Sequence, residues 1–144
     1  MRVSTQFPIA VHIMLMFAGF PDQKMTSEVV SESAGINPVI IRNIFSKLNS
    51  AGLLETKSGR GKTSVTRSAE EITLWDIYTA VESDETDEVF KLHQNTSETC
   101  VVGRNVHALL MPHLDEAVDA VKGVFSQVTL ADLIQELYGM IKSE

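Results

Sequence analysis

The sequence predicts a mainly α-helical chain that carries one small β-hairpin, and three stretches lead to that fold class. Two helical segments meet at "SAGINPV", joined by a link as short as those of helix-turn-helix units. The turn-like run "TKSGRGKTSVTRS", residues 56–68, follows directly. An apolar stripe at helical spacing then extends from Gly103 to Val128. With 144 residues and 44% hydrophobic content, the chain has the size and composition of a globular, soluble protein with a real core. Its single cysteine, Cys100, excludes an internal disulfide framework and suits a reducing compartment.

The elements follow in chain order. "IAVHIMLMFAGF", residues 9–20, is too short to span a bilayer, and no A-x-A cleavage site follows it. It reads as an amphipathic first helix, capped by Ser4 or Thr5, with Pro8 tolerated in its first turn and Gly19 and Pro21 ending it. A cytoplasmic protein with no membrane association is expected. Thr26 precedes a short helix reaching about Ala34, where Gly35 supplies the left-handed C-terminal position. Asn37 as N-cap and Pro38 at the first helical position start a second helix, which runs to about Ser50 and stops at Gly52.

That second helix has two faces. Ile41, Ile44, Phe45 and Leu48 form a stripe that must meet the core. Opposite lie Val39, Arg42, Asn43, Ser46, Lys47 and Ser50, a surface with hydrogen-bonding groups, two cations and no carboxylate. Amide, hydroxyl and guanidinium groups read base edges in the major groove, whereas carboxylates are repelled by phosphates. "LLETKSGRGKTSVTRS" then forms a hairpin that reverses at Gly59–Gly61, with Arg60 and Lys62 at its tip and Lys57 and Arg67 at its base. A hairpin after a helix-turn-helix is the winged-helix arrangement, and wing cations contribute affinity through phosphates or the minor groove.

Charge follows the same division. Between Arg42 and Arg67 six cations face one acid, a balance of +5, within a chain of net charge −7. The other six cations face eighteen acids, a balance of −12. Net positive charge is thus concentrated on the predicted nucleic-acid face.

In the acidic part, "ITLWDIYTAVE" predicts a helix with a Thr73–Asp76 capping box and an apolar face of Leu74, Ile77, Tyr78 and Val81. "SDETDEV" reads as a solvated connector. The long helix from Gly103 carries Val106, Leu109, Leu110, Leu114, Val118, Val121 and Phe125, a stripe too long for so small a domain to cover alone. A partner helix, and hence a dimer interface along it, is implied. Pro112 should kink this helix. Thr129 and Asp132 cap a final helix bearing Leu130, Leu133, Ile134, Leu137 and Ile141. The expected domains are a winged helix-turn-helix over 1–83 and, over 84–144, a linker, the long dimerisation helix and a C-terminal helix.

"NPVIIRNIFSKLNSAGLLETKSGRGKTSV", "EEITLWDIYTAVE" and "VTLADLI" together resemble the Rrf-type winged-helix transcription regulators (the IscR, NsrR and CymR type) over nearly the whole chain. The pattern is most similar to their cluster-free, YwnA-like branch. The resemblance implies a bacterial homodimer, paired through the long helix, that represses transcription at a palindromic operator in double-stranded DNA. Thr26, Ser27, Asn37, Pro38, Val39, Arg42, Asn43, Ser46, Lys47, Lys57, Arg60, Lys62 and Arg67 are the expected DNA-binding residues. Cluster-binding members carry three cysteines before the long helix, where "KLHQNTSETCVVGRN" has Cys100 alone. No cofactor is therefore expected. The wing reads "GRGK" where many relatives have a double glycine.

Other features are weaker. His107 and His113 stand about 240° apart around a helix, so no metal site is expected. Cys100 is a candidate redox thiol, although Arg104 is the only nearby cation. His12 reads as a partly buried core histidine. No Walker, GxSxG, HExxH or dinucleotide motif marks an enzyme. The alternative to a DNA-binding regulator is a winged-helix module that binds protein instead.

Overall fold

The computed structural model describes residues 4–56, 62–82, 90 and 92–144. Its elements are α1 (Gln6–Gly19), α2 (Ser27–Ala34), α3 (Pro38–Ser50), β1 (Leu54–Thr56), β2 (Thr63–Val65), a 3-10 turn (Ala69–Glu71), α4 (Leu74–Glu82), α5 (Val106–Phe125) and α6 (Leu130–Lys142). α1 is the hub. Ile9, Ala10, Ile13, Met14 and Phe17 are buried along it, and α2, α3, α4, α6 and β2 all pack against it. The core closes with Val30 from α2, Ile41, Ile44 and Leu48 from α3, Leu53 and Leu54 at the wing, and Ile72 and Ile77 at α4.

Local chemistry sets the boundaries. Ser4, rather than Thr5, serves the start of α1: its hydroxyl oxygen accepts from the Gln6 N–H at 3.1 Å and its O–H donates to Glu82 Oε1 at 2.5 Å. Thr26 caps α2 by accepting from the Val29 N–H at 3.2 Å, and Gly35 ends it at φ 67°. Asn37 Oδ1 accepts from the Val39 N–H at 2.8 Å to open α3, and Gly52 at φ 77° turns the chain into β1. The β1–β2 pair is antiparallel, with Leu54 opposite Val65 and Thr56 opposite Thr63. Thr73 and Asp76 make the expected reciprocal bonds, 3.1 and 2.9 Å, at the start of α4.

The long helix is shorter than the apolar pattern suggests. It starts at Val106 because residues 101–105 are used in turns, where Gly103 approaches residue 97 so closely that a Cβ there would stand 2.6 Å from the Ser97 carbonyl oxygen. It ends at Phe125 because the next residues are drawn into an extended bridge: the Leu74 N–H donates to Val128 O and the Leu130 N–H to Ile72 O. Pro112 lies inside α5, and the helix continues through it. The bridge returns α6 to the body of the protein, where Leu130 is fully buried and the Tyr138 hydroxyl donates to the Gly19 carbonyl. α5 itself stands apart. None of its residues is buried.

Candidate nucleic-acid interface

The surface of α3 is built from its helical phase. With Ile41, Ile44 and Leu48 turned into the core, the outermost line carries Val39, Asn43, Ser46 and Ser50, all exposed. Arg42 lies on the flank that faces α2, where its guanidinium is 3.8 Å from Glu28 Oε1. Both side chains are more than half exposed, so this pair does little to immobilise Arg42. The Glu28 carboxyl is held below its usual range mainly by its own backbone N–H and the Ser27 hydroxyl, with Arg42 a smaller cause.

Lys47 occupies the other flank and is engaged within the chain. Its ammonium donates to Gln6 Oε1 of α1 and, at 3.4 Å, to the Val81 carbonyl of α4. Sequence periodicity had placed Lys47 and Arg42 together on the face opposite the core stripe; five residues apart, they sit about 140° from each other around the helix, and α1 and α4 come up against the Lys47 side. Thr26 and Ser27 are half-buried at the start of α2, where Thr26 caps the helix and Ser27 donates to Glu28 at 3.2 Å. Asn37 and Pro38 open α3 at the same end of the helix pair.

On the hairpin, Lys62 and Arg67 are exposed. They line a cleft between β2 and the α1–α2 turn, together with Lys24, Asp22 and Thr26, above an apolar floor that includes Phe17 and Met25. Three cations against one acid make this cleft positive within an acidic molecule. Lys57, Arg60 and the Gly59–Gly61 reversal lie outside the described residues.

The expected dimer stripe is open along most of α5. Leu109 is 66% exposed and Leu110 39%, while Val106, Leu114, Val118 and Val121 are half-exposed with no buried neighbour on their own helix. Phe125 differs. It stacks on Phe7 at 5.3 Å between ring centroids and meets Tyr78 edge-on at 6.2 Å, so it anchors the end of α5 to its own chain. Burial, and secondarily the Glu82 charge, push the Tyr78 phenol above its usual range. Glu82 is itself buried, and its Oε2 has no hydrogen-bond partner among the described residues.

Cys100 is exposed, and the backbone N–H groups of Gly103 and then Val102 hold its thiol below the usual range. The sequence pointed to Arg104 as the only aid to the thiolate; the turn that aims amides at sulfur has no side-chain signature. His107 packs edge-on against His93 at 5.3 Å, with Nε2 2.9 Å from the His93 carbonyl oxygen, and half-buried His12 bonds Ser33 Oγ at 2.9 Å. Among the described residues, no three or more His, Cys, Asp or Glu side chains converge as a metal site. No described helix is long and apolar enough to cross a membrane.

Comparison with known proteins places this surface in context. A family model described as "Rrf2: Iron-dependent Transcriptional regulator" matches residues 3–136. An iron–sulfur cluster held by three cysteines does not fit this chain, which has Cys100 alone. YwnA of Bacillus subtilis (strain 168), named as an HTH-type transcriptional regulator, is 26% identical over 136 residues, 94% of this chain and 99% of its own length. A Lactobacillus plantarum structure described as a transcriptional regulator is 26% identical with a TM-score of 0.76, covering 93% of this chain and 90% of that one. CymR, the global cysteine regulator of B. subtilis, shares the fold at a TM-score of 0.66 and 20% identity, over 94% of this chain and 98% of its own. With a winged helix-turn-helix whose exposed helix face bears no acid, and a family match over nearly its whole length, the chain belongs to the Rrf2 family and is a DNA-binding transcriptional regulator rather than an enzyme.

Proposed function

We propose that the protein is a cytoplasmic, homodimeric repressor that acts at a palindromic operator without an iron–sulfur cluster. The observation that carries this reading is the exposed, carboxylate-free surface of α3, together with the exposed Lys62 and Arg67 of the hairpin that follows it. In this reading α3 enters the major groove, and the hairpin cations and the positive cleft hold the phosphate backbone. The open stripe of α5 supports pairing of two copies, which would present two recognition helices to two half-sites. Residues 1–83 would serve as the DNA-binding unit, with the segment from 84 onward supplying the pairing helix. Family membership favours this over a winged-helix module that binds only protein.

Titration of duplex DNA against salt tests it. Roughly two to four phosphate contacts per subunit give a slope of log affinity on log salt of about −4 to −7 for a dimer. Arg67→Ala, which removes one phosphate contact from each subunit, should weaken specific and nonspecific DNA alike and flatten the dimer's slope by about two units. Footprinting upstream of the protein's own gene should protect two inverted half-sites about one helical turn apart. Salt-independent binding, or an unprotected genomic library, would refute the reading.

A further inference from the structure

The fold redistributes the residues of α3 in a way that bears on which bases it reads. Both of its cations are off the outermost line: Arg42 on the α2 flank, Lys47 tied to Gln6 and the Val81 carbonyl. What remains at the apex near the N-terminal end, the part of a recognition helix that meets base edges, is Val39 and Asn43. Val39 is 56% exposed, an apolar side chain at the centre of a polar face, and it makes none of the core contacts that Ile41, Ile44 and Leu48 make. Asn43 stands one turn further along, about 40° away around the helix and about 6 Å along it.

The geometry points to a half-site whose core is A·T, with Val39 packed on a thymine methyl group and Asn43 paired to an adenine. Each assignment follows from groove chemistry. The C5 methyl of thymine is the one apolar group in the major groove, and a valine methyl meets it without leaving a polar atom unpaired. The asparagine amide matches adenine N6 and N7 in a bidentate pair. Guanine is the base read by arginine or lysine, and neither stands on this line. At about 3.4 Å per base step, the two contacts fall roughly two base pairs apart. Arg42 is left for phosphate at the groove edge. This rests on α3 being the helix that enters the groove, and the test separates the two ideas.

The purified protein is first used to enrich duplexes from a random library, which should yield sites with A·T cores. Each thymine of an enriched site is then replaced by deoxyuridine, which lacks only the methyl, and each adenine by 7-deazaadenine, which lacks N7. One thymine per half-site should lose about fourfold in affinity on demethylation, the worth of one buried methyl. Val39→Ala should bind the thymine and uracil sites equally, and Asn43→Ala should erase the penalty at one 7-deazaadenine. Because Val39 is exposed, its truncation should leave thermal unfolding unchanged. A G·C core that depends on Arg42, or a thymine preference that survives Val39→Ala, would overturn the proposal while leaving α3 as the reading helix. Failure to enrich any sequence would overturn both.

Discussion

At Cys100 the backbone, rather than a charged side chain, favours the thiolate. The Gly103 and Val102 amides favour the thiolate because an N–H aimed at sulfur stabilises negative charge and does little for the neutral thiol. The sign is toward a lower pKa in the folded chain than in the unfolded one. The rate of iodoacetamide alkylation, followed against pH, should therefore reach its midpoint at lower pH in native protein than in protein unfolded by denaturant. Coincident midpoints would show that the turn contributes nothing. Gly103 is part of the same device: any side chain there would collide with the Ser97 carbonyl, so Gly103→Ala should disturb the turn and return the thiol to ordinary behaviour.

Helix ends govern how α3, the proposed recognition helix, is held. α3 begins where the Asn37 side chain satisfies the Val39 N–H and Pro38 presets the backbone, immediately after Gly35 has turned α2 away. Asn37→Ala should cost about 1 kcal/mol of folding stability, read from denaturant unfolding. Asn37→Asp should restore that stability, since aspartate caps as well as asparagine and its charge suits a helix N-terminus. The same carboxylate would stand beside the phosphates, so Asn37→Asp should recover stability yet weaken DNA binding. An aspartate variant with full DNA affinity would place this helix end away from the duplex.

The whole molecule is a compact body with one helix standing off it. α5 is attached at its end by Phe125 against Phe7 and Tyr78, and through the Thr73–Thr129 bridge that follows. The rest of its apolar stripe is uncovered, and a second copy is the proposed cover. Val118→Glu puts a charge into that contact at a cost of several kcal/mol, roughly the margin that holds a typical dimer. Light scattering should then report a monomer with intact helical content, because no residue of α5 is buried within its own chain. Operator affinity should fall by orders of magnitude as the two half-sites lose simultaneous engagement, while nonspecific binding per subunit changes little. A folded monomer with wild-type operator affinity would show that α5 does not pair the subunits.

Sequence alone determined the elements whose signals are local. Caps, breakers and period located α2, α3 and the start of α6 to within a residue or so, because Thr26, Gly35, Asn37, Pro38, Gly52, Thr129 and Asp132 act on neighbours a few bonds away. The acid-free face of α3 was legible for the same reason: phase follows from the buried stripe. What only the tertiary structure decided is which neighbours flank that face. Whether Lys47 meets solvent or the Val81 carbonyl depends on where α1 and α4 pack, a matter of contacts 34 and 41 residues distant in sequence. Phe125 was drawn from the stripe of α5 into an aromatic cluster with Phe7, 118 positions earlier, and helical period carries no information about so remote a partner. The α5 boundaries were likewise set by the Ser97–Gly103 approach and the Thr73–Thr129 bridge, both of which exist only once the chain has closed on itself.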